Sequence, residues 1–304
     1  MKNGFGRQLK RDMKTNWTLY LLILPVVAFY ILFCYKPMYG ALIAFQNYKP
    51  AKGFGVEWVG FKHFIKFFNS PYVWRLIRNT FLISFLQLIF AFPASIILAL
   101  LLNEIRGERF KRVTQMAMHL PHFVSMVVVC GLVKQFCMSD GLINDILVTF
   151  GAKRVNLLQR PELYRTIYVL SEVWKNLGWN SLIYVAALSG VDATLYEAAR
   201  VDGANKWQQT LHVTLPGILP TIVVMLILNV GRMMSLGYEK TLLLYNETIY
   251  ETADILSSYI YRYGLVEHNW SYSTAIGLFN SLVNVALVLT ANWVSKRVTE
   301  NSLW

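Results

Sequence analysis

Almost no group of residues in this chain has the types and spacing that bond-making chemistry requires. There is no Gly-x-x-x-x-Gly-Lys-Ser/Thr loop to cradle phosphates, so the chain has no means of hydrolysing ATP itself. His-Glu-x-x-His and Gly-x-Ser-x-Gly are also absent. The nearest approach to a metal pair is His119-Leu-Pro-His122. Pro121 disturbs the helical spacing there and no carboxylate lies close in sequence, so two interfacial hydrogen-bonding histidines are the simpler reading. Cys34, Cys130 and Cys137 lie in or beside apolar runs and form neither a metal spacing nor a disulfide framework. What remains is non-covalent chemistry: polar groups set inside apolar stretches, where they are costly and tend to face a bundle interior or a water-filled path.

Those polar groups recur at helical spacing. One stretch carries Ser84, Gln87, Ala91 and Ser95; another carries Ser273, Gly277, Asn280 and Asn284, each set on one helical face. A third has Glu172 and Lys175 followed by Asn176, Gly178 and Asn180, and a fourth has Asn229 and Arg232. Trp174, Trp179 and Tyr238 lie among them. Rings stack on the C–H faces of sugars while amides and charges meet the hydroxyls, so the mixture suits a carbohydrate path. The competing readings are helix–helix glue for the amides, a Glu172–Lys175 pair for the charges, and interfacial anchoring for the aromatics.

Elements able to hold these residues follow from composition. The chain is 55% apolar and 15% charged over 304 residues, and the apolar residues come in blocks. Blocks of about 20 residues match the thickness of a bilayer. An all-α polytopic membrane protein with six transmembrane helices is therefore expected, with spans near 17–35, 79–103, 114–136, 164–188, 217–236 and 272–294. Residues 1–16 form a basic segment with Lys2, Arg7, Lys10, Arg11 and Lys14, and residues 17–304 a single transmembrane domain. The first span lacks a small-residue cleavage site and reads as a retained anchor. A long loop over 36–78 contains Phe61-Lys-His-Phe-Ile-Lys-Phe-Phe68, which suits an interfacial helix.

Between spans four and five, the stretch from Val191 to Pro220 reads as a polar island. Thr194 and Glu197 have the spacing of a capping box. The expected helix covers Leu195 to Asp202 and stops at Gly203, which takes a left-handed conformation cheaply. Asn205 then caps a second short helix running toward Pro216. So small an apolar surface is best used as a plug for a partner's groove.

Glu197-Ala198-Ala199, three residues, Gly203, nine residues and Val213-Thr214-Leu215-Pro216 resemble the EAA loop of ABC importer permeases. Asp202-Gly203-Ala204 is similar to the carbohydrate-importer branch. The segments Tyr39–Pro50, Gly237–Asn246 and Tyr250–Leu265 resemble permeases of the aldouronate and polysaccharide-fragment type, although Asn246-Glu247-Thr248 stands where broader sugar permeases often carry Gly-Gly-Pro. The resemblance implies a type I ABC importer permease fold, with residues 189–216 forming a cytoplasmic coupling loop. Glu197, Ala198, Ala199, Asp202 and Gly203 would then contact the ATPase. Trp174, Lys175, Asn176, Asn229, Arg232, Tyr238, Asn280 and Asn284 would lie along the substrate path.

The same resemblance implies the partners: a second homologous permease, two ATPase subunits, an extracytoplasmic sugar-binding protein, an oligosaccharide and the lipid bilayer, with no nucleic acid. No cofactor is expected on this chain, ATP and magnesium being used by the ATPase. The location would be a bacterial cytoplasmic membrane. The short inner segments are the more densely basic, which puts both termini in the cytoplasm. Neither the inverted repeat of a secondary transporter nor a catalytic constellation is visible. Lys175 and Arg232 within spans, with Glu172 able to satisfy only one of them, favour an acidic cargo such as a uronate; a neutral oligosaccharide is the alternative.

Overall fold

The computed structural model describes residues 11–54, 56–299 and 302–303; Lys2, Arg7 and Lys10 of the basic segment lie outside them. Apart from two isolated β-bridges in the first long loop, the described residues form helices and turns. The first helical run, α1 (Trp17–Phe45), continues beyond the expected end at 35 through a π turn at Tyr30–Tyr35. No residue from Trp17 to Tyr35 is buried, as suits a helix facing lipid or another chain. The short α2 (Lys62–Phe68) buries His63 and Phe67.

The centre of the bundle is the pair α3 (Val73–Glu104) and α7 (Pro161–Leu188), both longer than the apolar stretches that define them. Between them the expected third span is broken. The expected helix over 114–136 is divided between α4 (Glu108–Phe123) and α5 (Met126–Cys137), and the run long and apolar enough to cross a membrane is Met126–Thr149. Pro121 cannot donate to the helical ladder, and Ser125 caps the new start by accepting the Val128 N–H at 3.3 Å. A further helix, α6 (Leu142–Thr149), precedes α7. At Gly178 an added Cβ would lie 2.1 Å from the Met118 carbonyl oxygen, so only glycine lets α4 and α7 approach this closely.

Helix α8 (Ala193–Val201) follows α7 at a bend of 74°. The expected second short helix and fifth span prove to be one run, α9 (Lys206–Val230). It passes Pro216 because a π turn at Thr210–Thr214 absorbs the lost hydrogen bond. It ends at Val230, earlier than 236, in a turn through Gly231. Three short helices, α10 (Tyr238–Leu244), α11 (Tyr250–Ala253) and α12 (Leu256–Tyr261), lead to α13 (Trp270–Thr299).

Contacts fix which ends lie together. Lys206 pairs with Glu104 at 3.1 Å, putting the start of α9 beside the end of α3. Asn79 donates to the carbonyls of Glu251 and Asp254 at 2.9 and 3.0 Å, putting the start of α3 beside α11. The bundle thus has a loop end, bearing α8, and an opposite end bearing α10 to α12. Most of the buried side chains gather toward the second end, around Tyr164, Leu244 and Ile255 and around Phe67, Leu256 and Tyr272. A smaller cluster of Ala99, Tyr184, Leu188 and Ile218 closes the loop end.

Candidate functional site

Two features stand out: an exposed helical knob at the loop end and a polar cavity along α3 and α7. In the knob, the cap of α8 is Asp192, whose carboxylate accepts the Thr194 N–H at 2.9 Å. That bond holds the Asp192 carboxyl below the usual carboxylate range. The expected capping box of Thr194 and Glu197 does not form, because the helix starts at Ala193 and Thr194 already lies inside it. Gly203 has φ of 78°, and Ala204 N–H reaches back to the Ala199 carbonyl at 2.9 Å, closing a Schellman-type stop. Asn205 and Gln208 form the capping box of α9. Tyr196 ties the knob to α9 by a 3.0 Å hydrogen bond with Thr214. Glu197, Ala198, Asp202 and Gly203 are exposed and Ala199 half-buried. Val201 is 88% exposed, and Leu195 and Trp207 are exposed as well, apolar side chains that the described residues leave uncovered.

The cavity has a volume of about 610 Å³. Helix α3 lines it with Ser84, Gln87, Ala91 and Ser95, and α7 with Tyr168, Glu172, Asn176, Asn180 and Tyr184. From Tyr168 to Tyr184 the α7 stripe covers about 24 Å at 1.5 Å per residue, close to the depth of a bilayer core. The opposite wall is Asn229, Arg232 and Ser235, then Glu239 and Lys240 of α10. Glu239 is in the first turn of α10, where the helix dipole favours a carboxylate.

A continuous set of hydrogen bonds stiffens one side. His122 Nδ1 lies 2.9 Å from Asn176 Oδ1, Asn176 Nδ2 donates to Glu172 Oε1 at 2.5 Å, and Lys240 Nζ donates to Glu172 Oε2 at 2.7 Å. Asn176 Oδ1 can only accept, so His122 carries its proton on Nδ1. The His122 ring lies flat on Trp179, with centroids 4.3 Å apart. The His119/His122 pair therefore does not converge: one ring serves this chain of bonds, and His119 Nε2 has no hydrogen-bond partner among the described residues.

The residues expected along the path divide. Asn176, Asn229 and Arg232 line the cavity. Trp174 is two positions from both Glu172 and Asn176, which turns it to the far side of α7. Lys175 is also turned out of the cavity. Its Nζ donates to the carbonyls of His122 at 2.7 Å and Val124 at 3.0 Å, filling the acceptors left open where α4 ends. The Glu172–Lys175 pair weighed as the competing reading does not form; Glu172 pairs with Lys240 instead. Tyr238 stacks on Tyr261 with centroids 5.0 Å apart, outside the cavity lining. Asn284 accepts the Met234 N–H at 3.0 Å and donates to Ser235 at 2.7 Å, so its amide holds the turn after α9. Asn280 is likewise absent from the lining. Lys240 and Tyr168 were missed because one lies in a stretch that reads as loop and the other is a single aromatic in an apolar run.

Comparison with known proteins matches this geometry to a family. The profile described as binding-protein-dependent transport system inner membrane component matches residues 91–300. The polygalacturonan/rhamnogalacturonan transport system permease protein YteP of Bacillus subtilis (strain 168) is 44% identical over 94% of this chain and 90% of its own length. A solved bacterial ABC transporter involved in the import of the acidic polysaccharide alginate contains a chain that superposes with TM-score 0.88 at 42% identity, over 96% of this chain and 99% of that one. The bacterial alginate ABC transporter in complex with alginate pentasaccharide-bound periplasmic protein gives TM-score 0.88 at 41% identity, over 97% and 100%.

Proposed function

This chain belongs to the family of binding-protein-dependent transport system inner membrane components and is a permease of an ABC importer for sugars or oligosaccharides, and we propose that its own cargo is an acidic oligosaccharide. The observation that carries this is Arg232: exposed and without an ion pair among the described residues, in a cavity also lined by Asn229, Ser235, Gln87 and Asn180. A guanidinium binds a carboxylate through two parallel hydrogen bonds, while the amides and hydroxyls serve the sugar rings. The relatives named for polygalacturonan/rhamnogalacturonan and for alginate support the same class of cargo.

The mechanism is alternating access. A second permease packs against this one, two ATPases bind below, and a sugar-binding protein delivers cargo from outside. ATP and magnesium belong to the ATPases. With both termini cytoplasmic, the loop end faces the cytoplasm, and α8 with Val201, Leu195 and Trp207 docks into the ATPase. Glu197, Ala198, Ala199, Asp202 and Gly203 shape that contact. Closure of the ATPase dimer pulls on α8, and because α8 is tied to α7 and to Thr214 of α9, the motion reaches two walls of the cavity directly.

The test is uptake of a uronic oligosaccharide against its carboxyl-reduced analogue, in wild type and Arg232→Met. Selective loss of the acidic cargo in the variant supports the reading. Equal uptake of both by wild type, with no selective loss in the variant, overturns it.

A further inference from the structure

At the end opposite α8, a second set of charges lies away from the cavity. Asp254 is fully buried; it accepts from Arg262 at 2.8 and 3.2 Å, from Arg75 at 3.5 Å and from Ser258 at 2.8 Å. Next to it, Asn79 donates to the carbonyls of Glu251 and Asp254 and accepts from Arg165 Nη2 at 2.8 Å. Arg78 and Glu251 are the charged groups that bear on Arg165. Arg75, Arg78, Arg165 and Arg262 thus outnumber Asp254 and Glu251, and Asp254 is already committed to Arg262 and Arg75.

The cluster is short of acceptors. The Nε atoms of Arg75 and Arg165 are buried with no hydrogen-bond partner among the described residues, a state that leaves donors unsatisfied. Arg78 is exposed, and its side chain has no ion pair or hydrogen bond among the described residues. The positions are fixed from below: Asn79 holds Arg165 in place, and Asp254 holds Arg75. None of these arginines lines the cavity. A carboxylate arriving here would therefore come from something seated on the rim and not from cargo inside.

From these observations we infer that Arg78, with Arg165 and Arg75 behind it, is a docking point for an acidic side chain of the sugar-binding protein. The inference rests on the reading above, which makes this end external. A charge at the edge of an interface acts mainly on encounter and on salt dependence, and Arg78 has the exposure for that role.

The experiment uses the complete importer in proteoliposomes. ATP hydrolysis is measured against the concentration of sugar-loaded binding protein, for wild type, Arg78→Ala and Arg78→Glu. Expected at low salt is a half-stimulating concentration raised on the order of fivefold by Arg78→Glu and less by Arg78→Ala, with an unchanged maximal rate. The difference should shrink at about 0.5 M salt, where screening is strong. If wild type is not stimulated at all, the functional reading fails and this inference with it. If wild type and Arg78→Glu are stimulated identically, the functional reading stands and the docking point is overturned. Loss of the second permease on purification of Arg78→Glu would make the rim a contact between permeases and also overturn it. So would selective loss of acidic-cargo uptake with an unchanged binding-protein curve, which would assign the rim to the sugar.

Discussion

Lys240 Nζ lies 2.7 Å from Glu172 Oε2, which ties α10, a helix at one end of the bundle, to the wall of the cavity in α7. Lys240 is 3% exposed; it also donates to the Tyr168 carbonyl at 2.9 Å and lies 4.3 Å above the Tyr168 ring. A cation this enclosed is tolerated because a carboxylate, a carbonyl and an aromatic face surround it. Glu172 in turn accepts from Asn176, so its two oxygens are both engaged.

Removing one partner should cost far more than removing both. Glu172→Gln alone should lower the stability of the purified protein by about 3–5 kcal/mol, since it strands a buried ammonium. Glu172→Gln combined with Lys240→Met should recover most of that loss. A double-mutant cycle on thermal unfolding measures the coupling; additive losses would show that the pair contributes little.

Lys175 has a different part to play. Lys175→Met leaves the His122 and Val124 carbonyls at the α4–α5 break without their donor, at about 1–3 kcal/mol for each group left unsatisfied. The variant should unfold at lower temperature yet keep the same ratio of acidic to neutral cargo uptake in the fraction that assembles. A changed ratio with unchanged thermal stability would put Lys175 back on the cargo route.

Gly203→Leu tests the knob. The φ of 78° suits glycine and strains a leucine, while nothing lies within 4 Å of an added Cβ. The effect should therefore be confined to the turn between α8 and α9. Expected is normal membrane insertion and normal pairing of permeases, with ATP hydrolysis no longer responsive to cargo. Retained coupling in this variant would remove the role assigned to the loop.

How far the sequence disclosed this arrangement depends on the kind of signal. Helix existence was legible from apolar length, and the α3 face from the spacing of Ser84, Gln87, Ala91 and Ser95, all of which line the cavity. The stop at Gly203 and the cap at Asn205 were legible because local chemistry decides them. Helix ends were less so. Asp192 outcompeted Thr194 as a cap through a backbone hydrogen bond one residue pair earlier, and a π turn carried α9 past Pro216. Partner choice among buried charges was not legible. Lys175 is three residues from Glu172 on the same helix, yet its amine is drawn to carbonyls of a neighbouring helix, and the carboxylate takes a lysine 68 positions away. Only the packing of α4, α7 and α10 sets those distances. Asn280 and Asn284 share a face as expected, but the turn after α9 unwinds against Asn284, and a peptide N–H claims its amide oxygen.

The most direct measurement reconstitutes this permease with its second permease and ATPases in proteoliposomes containing ATP, adds cargo-loaded binding protein outside, and follows labelled oligosaccharide inward. The expected result is uptake that requires both ATP and binding protein and that favours a uronic oligosaccharide over its carboxyl-reduced analogue, with the preference lost in Arg232→Met. Uptake independent of ATP, or equal transport of the acidic and reduced sugars by wild type, would contradict it.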